Sequence, residues 1–98
     1  MRFRRIYWTL EQFNGDGSDD VVGIYTSIHD LIESGLPMTR DAANGYRFTL
    51  CELDCACAPI ASFRSPDFHG IDDALNPLIQ NGEISKEEFA ELRAAVKA

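Results

Sequence analysis

The sequence is poor in the residues that do chemistry. It has two histidines, His29 and His69, and three cysteines confined to Cys51, Cys55 and Cys57. No G-x-S-x-G nucleophile turn occurs, and no glycine-rich stretch carries the Lys and Ser/Thr that close a phosphate loop. So few bases and nucleophiles point away from an enzyme and towards a protein with no cofactor. No apolar run approaches a membrane span, and no charged-then-apolar leader opens the chain. The expectation is therefore a cytoplasmic protein without a membrane partner. Basic residues are also scarce, with nine Lys and Arg against 16 Asp and Glu and a net charge of −7. Neutralising phosphates takes clustered cations. The one basic cluster, "RFRR" at Arg2–Arg5, reads as the solvated start of a strand, so nucleic acid is not an expected direct partner.

What is present fits one small globular domain spanning 1–98. The chain is 45% hydrophobic and holds six Phe, three Tyr and one Trp, enough large side chains for a modest core. "FRRIYWTLEQF" alternates as a strand, with Ile6, Trp8 and Leu10 on one face and Phe3, Tyr7 and Phe13 on the other. "NGDGSDD" is turn chemistry, and "VVGIYT" is the returning strand. The period then changes. Ile28, Leu31, Ile32 and Leu36 fall at helical spacing, Ser27 and Asp30 offer a short capping box, and Gly35 and Pro37 predict the stop. Two further strands are predicted over 46–54 and 60–65, with Pro59 marking a break or an edge. Ile71, Leu75, Leu78 and Ile79 predict a helix that Pro77 either kinks or divides. The last helix is announced by a Ser85–Glu88 capping box and by Phe89, Leu92 and Val96. The result is an α+β fold in β-β-α-β-β-α-α order. It has a small antiparallel sheet of three to four strands, helices mainly on one face, and 69–98 as a helical hairpin packed on the sheet.

That last segment resembles the short C-terminal helical hairpins appended to many bacterial proteins. Leu75, Leu78, Gly82, Ile84, Ser85, Glu88 and Phe89 carry the resemblance, over about a quarter of the chain. It implies self-association rather than catalysis. Capping physics alone produces the same positions.

The cysteine run "LCELDCACAPI" is the sharpest local question. On a continuous strand Cys51, Cys55 and Cys57 share a face with Leu53 and read as small hydrophobes ending a core strand. A second reading makes Cys51, Cys55, Cys57 and His69 a zinc set, although C-x3-C-x-C is not a standard zinc spacing. A third is redox chemistry, in which a Cys55–Cys57 bridge looks strained and a Cys51–Cys57 or intermolecular bridge easier. "NGDGSDD" puts Asn14, Asp16 and Ser18 on a calcium-loop pattern. The pattern then fails, because Asp19 sits where Gly belongs and Tyr25 where the bidentate Glu belongs. His29 and Glu33 read as a surface pair.

The expectation that follows is a small, acidic, non-catalytic module whose partner is another protein or a second copy in a homodimer. Tyr7, Tyr25, Asp16, Asp19 and Asp20 are its candidate interaction residues, and an edge strand near Ile60–Arg64 could accept another chain. The alternatives are an acidic inhibitor of phage or mobile-element type, occupying a basic nucleic-acid-binding surface of a larger protein, and a zinc-stabilised domain.

Overall fold

The computed structural model describes residues 5–39, 44–65, 68 and 70–97. Arg2 to Arg4 of the basic cluster, Phe3 and His69 of the zinc set lie outside the described residues. The elements are β1 (Ile6–Phe13), β2 (Asp19–Tyr25), α1 (Ile28–Asp30), a π-helical turn (Leu31–Gly35), α2 (Leu36–Thr39), β3 (Tyr46–Glu52), β4 (Ala61–Arg64), α3 (Ile71–Gln80) and α4 (Lys86–Lys97). With the first helical segment counted once, this is the expected α+β order. The four strands form one antiparallel sheet in the order β2-β1-β3-β4.

Strand alternation sorts the sheet into two unlike faces. Trp8 pairs with Leu50, Leu10 with Phe48, and Phe48 with Phe63, and all five are buried. Ile28, Leu31, Ile71, Leu75, Leu78, Ile84 and Leu92 of the helical segments and their connections join them in one core. Each such side chain contributes about 1.5–3 kcal/mol on burial. Phe48 is central: its ring centroid lies 5.6 Å from that of Trp8, 5.4 Å from Phe63 and 5.5 Å from Phe68. The helices thus cover one face and leave the other open.

A β-bulge decides what β2 shows to solvent. Leu10 pairs with Gly23 but Glu11 with Val21, so Val22 has no partner and turns into the core. Val21 and Ile24 are both left on the open face, 60% and 64% exposed.

The first helical segment corrects the predicted stop. Ser27 caps α1 as expected, its Oγ accepting from Asp30 N–H at 3.1 Å. The helix does not end at Gly35. It widens into a π turn, with Leu36 N–H bonded to Leu31 C=O, and continues through Pro37 to Thr39. Proline has no N–H to give and crowds the carbonyl four residues back. Here it falls in the first turn of α2, directly after the wide turn. Gly35 is buried for packing and does not serve as a cap.

Helix α3 runs unbroken through Pro77. Beyond its last residue Gln80 it is closed by Gly82, whose φ is 78°, with Glu83 N–H bonded to Leu78 C=O and Gly82 N–H to Ile79 C=O. That is the paired closure in which a left-handed glycine satisfies the last helical carbonyls. The Ser85–Glu88 box then starts α4: Glu88 N–H donates to Ser85 Oγ at 3.1 Å and Ser85 N–H to Glu88 Oε1 at 3.3 Å.

Candidate functional site

The open face of the sheet is built in cross-strand rows. Ile24, Thr9, Thr49 and Ser62 form one row, and Val21, Glu11, Arg47 and Arg64 the next. Thr49 Oγ1 and Ser62 Oγ lie 3.2 Å apart, a hydroxyl pair across β3 and β4. Phe13 pairs with Asp19 at one end of the face, and Tyr7 with Cys51 at the other.

Arg47 organises the middle. Its guanidinium donates to Glu11 Oε2 at 2.5 Å and to Asp19 Oδ2 at 2.8 Å, joining β1, β2 and β3. It also lies 5.5 Å from the Phe13 ring centroid, and Arg64 lies 4.3 Å from the same ring. Two cations beside one aromatic ring are held there by the ring quadrupole, and the two carboxylates on Arg47 limit their mutual repulsion. Among the described residues of its strands, Glu11 and Asp19 balance Arg47 and Arg64 on this face. It is a mixed surface of aromatic, aliphatic and paired-charge side chains, which is common interface material.

Tyr7 is half-buried on this face, and the Cys51 thiol across the strand raises its pKa, chiefly because a thiolate there would repel a phenolate. Tyr25 and Tyr46 belong to the covered face. The three hairpin acids are all engaged, two within the loop and one on β3. Asp16 accepts from Ser18 N–H at 2.9 Å and Ser18 Oγ at 2.6 Å, which lowers its pKa. Asn14 Nδ2 donates to Asp20 Oδ2 at 3.1 Å, and Asp19 holds Arg47. Asn14 Nδ2 also donates to Ser18 Oγ at 3.0 Å, so the side chains of the calcium-like pattern bond to one another within the loop. Strand β4, the anticipated docking edge, is an edge but has only four residues. The longer edge is β2.

The helical side differs in charge. Residues 28–39 and 70–97 hold eight acidic side chains against three basic ones, so five of the seven net negative charges lie there. On it, His29 Nδ1 meets Glu91 Oε1 at 3.0 Å, with Glu33 within 4.8 Å of both. The Glu91 hydrogen bond, then its charge, raises the His29 pKa.

The cysteine run is corrected in two respects. The strand ends at Glu52, and Asp54 takes a left-handed turn at φ 59°, so Cys55 and Cys57 leave the sheet and are exposed together with Leu53. They are also disulfide-bonded to each other, with Cα atoms 5.3 Å apart, well within the ordinary span of a bridge. Only Cys51 stays on the strand, as a half-buried thiol. Of the four-residue zinc set, the bridge takes two members, Cys51 faces Tyr7, and His69 lies outside the described residues. Among the described residues, Glu52 is instead the group beside the bridge, within 4.8 Å of both sulfurs.

The open-face residues missed by sequence reasoning are Val21, Ile24, Arg47 and Arg64. A signal existed in "VVGIY", where both faces of a strand next to an acidic turn are apolar. Comparison of the chain with protein-family models, curated proteins and solved structures finds no match. No described helix is long and apolar enough to cross a membrane.

Proposed function

We propose that the chain is a non-catalytic protein-binding module that docks its partner on the open face of the sheet, along β2. The observation that carries this is the pair Val21 and Ile24, two large aliphatic side chains on a seven-residue edge strand, each more than half exposed. An edge strand with outward apolar side chains is a template for another chain, and natural proteins usually blunt such edges. The partner's chemistry follows. It presents an extended segment whose backbone pairs with β2 and whose aliphatic side chains cover Val21 and Ile24. A second copy of this chain meets that description through a two-fold axis.

A second reading has its own support. The surplus of acid in the helical layer suits an inhibitor that occupies a basic, nucleic-acid-binding surface of another protein.

Site-specific photo-crosslinking separates them. A benzoylphenylalanine replaces Ile24 in one sample and Glu87 in another, in the purified protein and in the cell of origin. A discrete adduct from position 24 supports docking on the sheet, and an adduct of twice the chain mass identifies a second copy. An adduct from position 87 alone supports the acidic reading. Equal adducts, or none, from both positions overturn the sheet-face proposal.

A further inference from the structure

Residues 53–59 are all exposed, yet the loop is pinned at both ends. Leu53 N–H donates to Arg5 C=O at 2.7 Å, Ile60 N–H donates to Leu50 C=O at 2.8 Å, and Arg5 pairs with Asp54. This scaffold holds Cys55 and Cys57 beside Glu52, with the two sulfurs and a carboxylate oxygen all within 4.8 Å of one another. The sulfurs are bonded to each other here; once reduced, they and the Glu52 carboxylate offer a ligand set for a thiophilic divalent cation, with Zn–S near 2.3 Å and Zn–O about 2.0–2.2 Å. A bridge between the sulfurs removes both thiolates and closes the set.

We propose that this loop is a redox-gated zinc site. Glu52, Cys55 and Cys57 bind the ion through one atom each, water fills the fourth position, and the Cys55–Cys57 disulfide is the closed state. Opening takes two electrons and two protons from a dithiol reductant. The sulfur–sulfur bond breaks, two protein thiols form, and the reductant leaves as its own disulfide. Zinc then displaces the two thiol protons into solvent and binds two thiolates. The sulfurs must separate for this, and the exposed loop allows it because no core residue lies between Leu53 and Pro59. The site holds three protein ligands, so it differs from a closed structural zinc centre and leaves a position for an exogenous ligand.

The test titrates zinc into the full-length protein, oxidised and fully reduced, in competition with a chromophoric chelator. Cobalt(II) serves as the spectroscopic probe. The reduced protein is expected to bind one equivalent, with thiolate-to-cobalt charge-transfer absorption, and the oxidised protein none. Cys57→Ser should abolish the absorption. Glu52→Gln should keep it and weaken zinc by about tenfold or more. Cys51→Ser should change neither. Far-UV dichroism establishes that each variant is folded. Alkylation of the reduced wild-type chain gives a readout without mutation, because zinc should protect Cys55 and Cys57 and leave the Cys51 rate unchanged. Equal zinc binding in both redox states, no binding by the reduced chain, an unaltered Glu52→Gln affinity, or a Cys51→Ser loss as large as that of Cys57→Ser would overturn the proposal.

Discussion

The Tyr25 ring fills the space that a side chain at Gly35 would need. A Cβ there would lie 2.9 Å from Tyr25 Cε2 and 3.0 Å from Leu10 Cδ2. The same ring covers Gly23, whose Cβ would lie 2.4 Å from the Tyr25 hydroxyl. Two glycines far apart in sequence thus seat one aromatic ring between the edge strand and the π turn. Gly35→Ala gains about 1 kcal/mol of helix propensity but overpacks a buried contact, at about 1–3 kcal/mol. The expected outcome is a net loss of about 1 kcal/mol in urea unfolding. In a Tyr25→Ala background the same change should cost less than in the wild type, because the ring has gone and only the Leu10 contact remains. A Gly35→Ala protein more stable than wild type would refute this packing.

That contact also shows where sequence reading stops. Strand β1 was legible because Ile6, Trp8 and Leu10 alternate without interruption, and α1 and α4 because Ser27 and Ser85 cap locally. These signals act within four residues. Gly35 and Pro37 have the local form of a stop, but Gly35 answers to Tyr25 and Leu10, which are distant in sequence. The cysteine run misled for a related reason. Even spacing implies one strand face only while the strand lasts, and the left-handed Asp54 ends it. The Arg47–Phe13–Arg64 stack depends on strand order, and no local pattern encodes that β1 lies between β2 and β3.

The His29–Glu91 contact predicts a pH dependence with a definite sign. Folding raises the His29 pKa above its ordinary value of 6.5, first through the Glu91 hydrogen bond and then through its charge, with smaller contributions from Glu33 and Asp30. A raised pKa means the folded state holds the proton more tightly. The stabilisation is complete below pH 6.5 and is lost as pH rises through the higher folded value. Titration of the His29 ring by NMR should give a midpoint above 6.5, falling back in Glu91→Gln. His29→Gln should flatten the stability profile across that window. A midpoint at or below 6.5 in the wild type would contradict the contact.

The Cys55–Cys57 bridge should matter little to global stability. The loop it closes is about three residues, for which the lost denatured-state entropy amounts to about 1.6 kcal/mol at most. No core residue depends on its position. Reduction, or the double change Cys55→Ala with Cys57→Ala, is therefore expected to lower unfolding stability by less than about 2 kcal/mol and to keep the far-UV spectrum. Unfolding on reduction would make the bridge a structural staple.

Ile24 tests whether the open face is kept apolar for the fold or for a partner. Its side chain is 64% exposed and sits opposite Thr9, away from every helix. Ile24→Thr keeps the branched Cβ that suits a strand and removes only exposed apolar surface. Stability should stay within about 0.5 kcal/mol of wild type, whereas Phe48→Ala in the core should cost about 3–5 kcal/mol. Association through β2, read from crosslinking at Val21, should fall sharply in the same Ile24→Thr protein. A large stability loss in Ile24→Thr would mean that the side chain supports the sheet itself. Unchanged stability with lost association means that its apolar surface serves a partner, because the substitution keeps the branched Cβ that suits the strand and removes mainly the exposed apolar area that a partner would cover.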